Sequence, residues 1–163
     1  MLISFDTCSF LRIRNIFHEI HIDLHPILKN FRIVSTDELN NEYSNYDLES
    51  FFNFQFIFIP LTTSERNSAI SKFLLESFDS ADQDLVIIGL RDKITIVTDD
   101  RDLFYQSTML KIPTFQLWSF CLRLVKDEQL TKNEFYKCWK LWETGKRYDK
   151  QTLKLMKKAL QLI

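Results

Sequence analysis

Four acidic residues, Asp6, Glu42, Asp82 and Asp100, each end or follow an apolar segment of this 163-residue chain. Carboxylates are hard oxygen donors, and several at one place suit Mg²⁺ or Mn²⁺, which bind through few protein ligands beside a substrate phosphate. Held close without a cation they would repel one another and raise at least one carboxyl pKa. A bound ion would lower the pKa of its water, orient the nucleophile toward phosphorus and neutralise charge in the displacement, which is the chemistry of phosphodiester hydrolysis. Singly, most of these acids have ordinary uses: Asp82 can favour a helix dipole, Asp99 and Asp100 can cap, and Glu42 can be an exposed helix residue. Asp6 is harder to explain that way, because an acid ending a buried strand needs partners.

The elements that would carry these acids follow from apolar runs and breakers. Residues 2–5 predict a buried strand that turns directly into a helix from Cys8 to about Phe17; 31–35 predict a second strand, with a helix from Thr36 to about Tyr46. Phe54 to Ile59, aromatic and β-branched and stopped by Pro60, predict a third strand, with a helix from Ser64 to Phe78 capped by Thr62 or Thr63. Ser80-Ala81-Asp82-Gln83 is a capping-box pattern for the next helix. Its continuation, Leu85 to Leu90, reads equally well as a short buried strand, which would carry Asp82 away from the site. Residues 94–97 predict a fourth strand, and a helix beginning near Asp100 leads to Pro113. Alternation of this kind implies an α/β fold, a mainly parallel sheet with helices on both faces. Acids at carboxyl ends of strands lie on the edge of such a sheet where ligands bind.

In these contexts the chain resembles the PIN-domain ribonucleases, a family that includes the toxin nucleases of toxin–antitoxin pairs. Ile3-Ser4-Phe5-Asp6-Thr7 matches its opening strand, Asp and hydroxyl residue, and Ile33-Val34-Ser35-Thr36 leading to Glu42-Tyr43 matches its second motif. Asp82-Gln83-Asp84-Leu85-Val86-Ile87-Ile88-Gly89 matches the Asp that opens an apolar helix with a small residue two turns on. Thr98-Asp99-Asp100-Arg101-Asp102-Leu103 matches the final Thr-x-Asp. The four motifs keep their order over roughly the first 115 residues, and their conjunction is specific where each alone is weak.

The resemblance implies a three-layer α/β/α fold and a Mg²⁺- or Mn²⁺-dependent endoribonuclease with Asp6, Glu42, Asp82 and Asp100 as catalytic metal ligands. Asp102 is a further ligand candidate, Thr98 and Asp84 would orient ligands by hydrogen bonding, and Thr7 and Ser35 are weaker candidates for that task. Asp99 is expected to face solvent or to cap. RNA would be the substrate, with a small antitoxin protein and a second copy of the chain as partners. Two other readings stand beside this one: a non-catalytic RNA-binding or protein-interaction module on the same fold, and a flavodoxin-like or response-regulator protein, which also uses acids at strand ends. The last is disfavoured because Gly89 and Gly145 are the only glycines, so no glycine-rich phosphate loop can form.

Composition sets the remaining bounds. A 45% hydrophobic chain of this length can bury one core, so residues 1–163 are expected to form a single domain, with 1–115 as catalytic core and 116–163 as a helical tail packed on it or forming an interface. No apolar stretch approaches the ~20 residues that span a bilayer, and no secretory signal is expected. Cys8, Cys121 and Cys138 are odd in number and lack a Cys-x-x-Cys pair, which suggests a reducing, cytoplasmic setting. His18, His21 and His25 precede Pro26 without a zinc-binding pattern and read as surface or packed residues.

The tail reads as three helices. Residues 117–125 are apolar nearly all round and are expected to pack between body and tail. Phe135, Trp139 and Trp142 recur at helical spacing after Thr131 and Glu134, Gly145 stops that helix, and the last begins near Asp149 with Leu153, Met156, Leu160 and Ile163 on one stripe. From Lys126 onward ten Lys/Arg face five Asp/Glu, net +5; residues 1–125 carry eleven against seventeen, net −6. Such a contrast suits cations held in the body and a phosphate backbone drawn to the tail, or else lysines that merely solvate helices, the commoner use of Lys. Lys146, Arg147 and Tyr148 are the candidates for contact with RNA, while Phe135, Trp139 and Trp142 read as a subunit interface.

Overall fold

The computed structural model describes residues 1–53 and 55–163. Five parallel strands form one sheet: β1 Leu2–Phe5, β2 Arg32–Ser35, β3 Ile57–Phe58, β4 Thr95–Val97 and β5 Thr114–Phe115, in the order β3-β2-β1-β4-β5. The chain builds outward from β1 to β3, then crosses back to lay β4 on the other side of β1, in register Ile3↔Thr95, Ser4↔Ile96 and Phe5↔Val97. Strand order therefore reverses between β1 and β4, and the carboxyl ends at such a reversal are where open α/β sheets bind ligands. Ile3, Phe5, Ile96 and Val97 are fully buried, as expected of strands covered on both faces.

Helices flank the sheet: α1 Thr7–Ile20, α2 His25–Leu28, α3 Asp37–Asn45, α4 Leu48–Phe52, α5 Thr63–Phe73, α6 Ser80–Asp92, α7 Arg101–Met109, α8 Leu117–Lys126, α9 Lys132–Thr144 and α10 Lys150–Gln161. Side-chain caps set most of their starts: Asp6 for α1, Thr36 for α3, Thr62 with Glu65 for α5, Asp100 for α7, Thr131 with Glu134 for α9 and Asp149 for α10. The ambiguous run Leu85 to Leu90 is helical, inside α6. Its cap is Asp79, one residue before the expected Ser80, and accepts from the Asp82 amide at 2.9 Å.

The differences from sequence expectation are local. α5 stops at Phe73 because Leu74 adopts a left-handed conformation, φ 56°, instead of running on to Phe78. β3 is shorter than expected, and Phe54, assigned to its start, lies outside the described residues. The short helices α2 and α4 and the two-residue edge strand β5 were not expected. His25 takes part in α2, its ring bonded to Asp23 and to the Phe51 carbonyl, a structural use.

A cluster of aromatic rings ties the sheet to α1, α3 and α4. Phe10 stacks on Phe5 at 4.7 Å between centroids and meets Phe52 at 4.7 Å and Tyr43 at 5.1 Å. The buried Tyr43 hydroxyl donates to the Phe5 carbonyl at 2.5 Å. That bond pins α3 against the end of β1, immediately before Asp6.

The tail is not a separate body. α9 lies against α1 and α8, and α10 against α8 and α9. Phe135 and Trp142 are buried in this packing, which corrects their reading as an open subunit interface. The Trp139 indole N–H donates to the Leu153 carbonyl at 3.1 Å, joining α9 to α10. Leu153 and Met156 are buried as the stripe predicts, whereas Ile163 lies beyond the helix and is exposed. Among the described residues, no helix is long and apolar enough to cross a membrane.

Candidate metal centre

Asp6 leaves β1 at the point where strand order reverses, its amide bonded to the Val97 carbonyl of β4 at 3.0 Å. One carboxylate oxygen accepts from the Ser9 amide at 2.7 Å, and the other accepts from the Thr98 hydroxyl at 2.5 Å. Burial pushes the Asp6 pKa up, against the pull of the hydrogen bonds from Ser9 and Thr98. Thr98 in turn accepts from the Asp100 amide at 3.0 Å, so one buried hydroxyl sets the positions of both acids. Asp100 is exposed and uses one oxygen to cap α7, accepting from the Leu103 amide at 2.8 Å.

Glu42 arrives from α3. Tyr43 anchors that helix to β1, and the Thr7 hydroxyl, in the first turn of α1, donates to the Glu42 carboxylate. Thr7, a weaker candidate by sequence, thus does for Glu42 what Thr98 does for Asp6. Ser35 does not share that role; its hydroxyl bonds Asn40 and the Thr36 carbonyl.

Asp82 comes from the first turn of α6, which packs against α3. Its carboxyl is pushed up to about 8 by burial first, then by the negative charges of Asp79, Asp6, Asp100 and Glu42. Among the described residues it has no hydrogen-bond donor of its own. Asp6, Glu42 and Asp100 therefore all lie within electrostatic reach of Asp82.

Other candidates fall elsewhere. Asp102 is exposed in the first turn of α7 and is not among the carboxylates acting most on Asp82. Asp84 does not orient a ligand: its fully buried carboxylate is held by Arg66 in a two-pronged pair at 2.8 and 2.9 Å. Two residues beyond Asp82, it points roughly 200° around the helix. Asp99 does not face solvent. Its side chain is fully buried, ion-paired to Arg12, and accepts from the Tyr148 hydroxyl at 2.6 Å and the Leu117 amide at 3.0 Å.

Tyr148 is thereby corrected from an RNA contact to a structural residue. Its ring lies 5.4 Å from the Arg12 guanidinium and 5.6 Å from Trp142, and burial together with Asp99 drives its pKa far up. Lys146 and Arg147 beside it are exposed.

Sequence reasoning missed two neighbours of the site. Asp79, three residues before Asp82, adds charge to it; the string Asp79-Ser80 before an apolar run was the available signal. Cys8 lies at the solvent edge, its thiol pushed up by burial and by Asp6, with Asp82 and Asp100 adding to the effect. No spacing rule pointed to Cys8.

The four acids offer only hard carboxylate oxygens, with Thr7 and Thr98 orienting two of them, a set that suits Mg²⁺ or Mn²⁺ better than a softer metal. As they stand, no three His, Cys, Asp or Glu side chains among the described residues are grouped closely enough to hold one ion, so the acids are neighbours rather than a closed ligand set. Compared with known proteins, the chain matches no family model, no curated protein and no solved structure.

Proposed function

We propose that this chain is a metal-dependent endoribonuclease of the PIN-domain kind, hydrolysing phosphodiester bonds at a Mg²⁺ or Mn²⁺ site made by Asp6, Glu42, Asp82 and Asp100. One observation carries the reading: Asp82, partly buried and without a hydrogen-bond donor among the described residues, faces four other carboxylates and is pushed up to about 8. A structural scaffold gains nothing from that repulsion, whereas a divalent cation turns it into attraction.

The bound ion would supply a lowered pKa for its water and charge neutralisation at phosphorus. The chain's own residues provide the rest. Thr98 holds one carboxylate oxygen of Asp6 and the backbone of Asp100, and Thr7 holds Glu42. Ligands restrained in this way need little reorganisation to close on a cation. Asp82 would give up its proton on binding, so occupancy and protonation compete at that carboxyl.

The narrower parts of the proposal rest on the motif resemblance: RNA as the polymer, a cytoplasmic setting, a small antitoxin as regulator and a homodimer as the working form. A second reading, a non-catalytic RNA-binding or protein-interaction module, draws support from Asp6 and Asp100, each of which caps a helix, a use that needs no ion.

Incubation of a mixed RNA pool with the protein in Mn²⁺ or in EDTA separates the two. Cleavage that requires Mn²⁺ and falls by at least about a hundredfold in Asp6→Asn and Asp100→Asn is expected. Undiminished cleavage by either folded variant would remove the assigned roles, and an inactive wild type that still binds RNA would establish the module.

A further inference from the structure

A groove of about 520 Å³ runs along α1 beside the acidic site. Cys8, Arg12, Asn15 and His18 line it at helical spacing, Arg14 flanks them, and Arg147 reaches in from the tail. From Cys8 to His18 the helix rises ~15 Å, enough to follow several backbone atoms of an extended chain. One end is the acidic edge, since the Cys8 thiol feels Asp6, Asp82 and Asp100. The remainder carries Arg12, Arg14 and Arg147 against one acid, Glu19.

The cations are available. Arg14 donates to a neutral acceptor, the Tyr46 carbonyl, and neither Arg14 nor Arg147 has an ion-pair partner among the described residues. Arg12 is held by Asp99 and Tyr148, which fixes its guanidinium at the groove wall and adds its charge there. Arg147 is brought there by its neighbours: its amide donates to the Trp142 carbonyl at 2.9 Å, and Tyr148 is locked onto Asp99. Guanidinium groups from two elements, three against the single lining acid Glu19, and a carboxylate cluster at the mouth match a polyanion that must reach a cation.

We propose that this groove, completed by Arg147 of the tail, binds the phosphate backbone of single-stranded RNA and leads it to the acidic site. The proposal rests on the hydrolytic reading of that site for its direction, but binding is measured apart from cleavage. Phosphate contacts of this kind are insensitive to base sequence and weaken with salt.

The test is fluorescence anisotropy of a labelled oligouridylate in EDTA over a series of salt concentrations. Wild type is compared with Arg14→Ser, Arg147→Ser, the double variant, and Lys154→Ser as an equal charge change on the exposed face of α10. Each groove variant is expected to lose several-fold in affinity and to lower the salt slope by about one, and the double variant to lose about tenfold or more. Lys154→Ser should bind as wild type does. Thermal melting of every variant guards against misfolding. Equal affinity in the groove variants and wild type, or an equal loss in Lys154→Ser, would overturn the groove. So would displacement of the RNA by polyglutamate at matched charge, which would make an acidic protein segment the better occupant. RNA binding lost in the groove variants, in a protein that cleaves nothing with Mn²⁺, would leave the groove standing and remove only the hydrolytic reading.

Discussion

Asp82 is the residue on which the proposed chemistry turns. Its carboxyl sits at about 8 against an ordinary 3.8, raised by burial and by Asp79, Asp6, Asp100 and Glu42. The folded chain therefore keeps this proton between about pH 4 and pH 8, where the unfolded chain has released it. Stability contributed by this group is full below that window and is lost as pH rises through it. Melting in EDTA should show wild type losing stability from pH 5 to pH 8 more steeply than Asp82→Asn, which removes the titration. Parallel slopes in the two proteins would contradict the assignment. Asp99 makes the opposite case: a buried charge already satisfied. Asp99→Ala would leave Arg12 half-buried without its partner and should destabilise by about 3 kcal/mol in urea unfolding, whereas Tyr148→Phe, which removes one hydrogen bond, should cost about 1–2 kcal/mol.

At the scale of elements, the placement of the acids depends on how closely α6 approaches the sheet. Gly89 permits that approach: a Cβ there would lie 2.8 Å from Ile112 Cγ2 and 3.1 Å from Ile96 Cδ1. Gly89→Val should overpack this contact, lower stability by about 1–3 kcal/mol in urea unfolding and displace Asp82 from the proposed metal site. A variant as stable as wild type would show that α6 has room to spare. This contact also marks the limit of what the sequence can reveal. The runs Leu2 to Phe5 and Ile94 to Val97 advertise buried strands, and Thr62 with Glu65 and Thr131 with Glu134 advertise helix starts, because each signal is local. β5 carries only Thr114 and Phe115 and is a strand by virtue of its partner, Ile96 pairing with Thr114. Asp99 misled because its partners Arg12 and Tyr148 lie 87 and 49 residues away, beyond any spacing rule.

The whole molecule joins these pieces through its topology. The crossover that places β4 beside β1 brings Asp6 and the Thr98–Asp100 segment together, while α3 and α6 carry Glu42 and Asp82. The tail closes over the opposite side of the Asp99 side chain, so a single segment, Thr98 to Asp100, is held by Asp6 on one side and by Arg12 and Tyr148 on the other. Loss of the tail contact should accordingly loosen the site as well as the fold. If Asp6, Glu42, Asp82 and Asp100 form the proposed common site for a divalent cation, titration calorimetry with Mn²⁺ at pH 8 detects the binding. Wild type should bind with an affinity that rises up to about tenfold per pH unit from pH 6 to pH 8 as Asp82 loses its proton, and Asp6→Asn and Asp82→Asn should each weaken binding by at least about tenfold. A wild type that binds no Mn²⁺, or folded variants that bind it as tightly as wild type, would contradict the account.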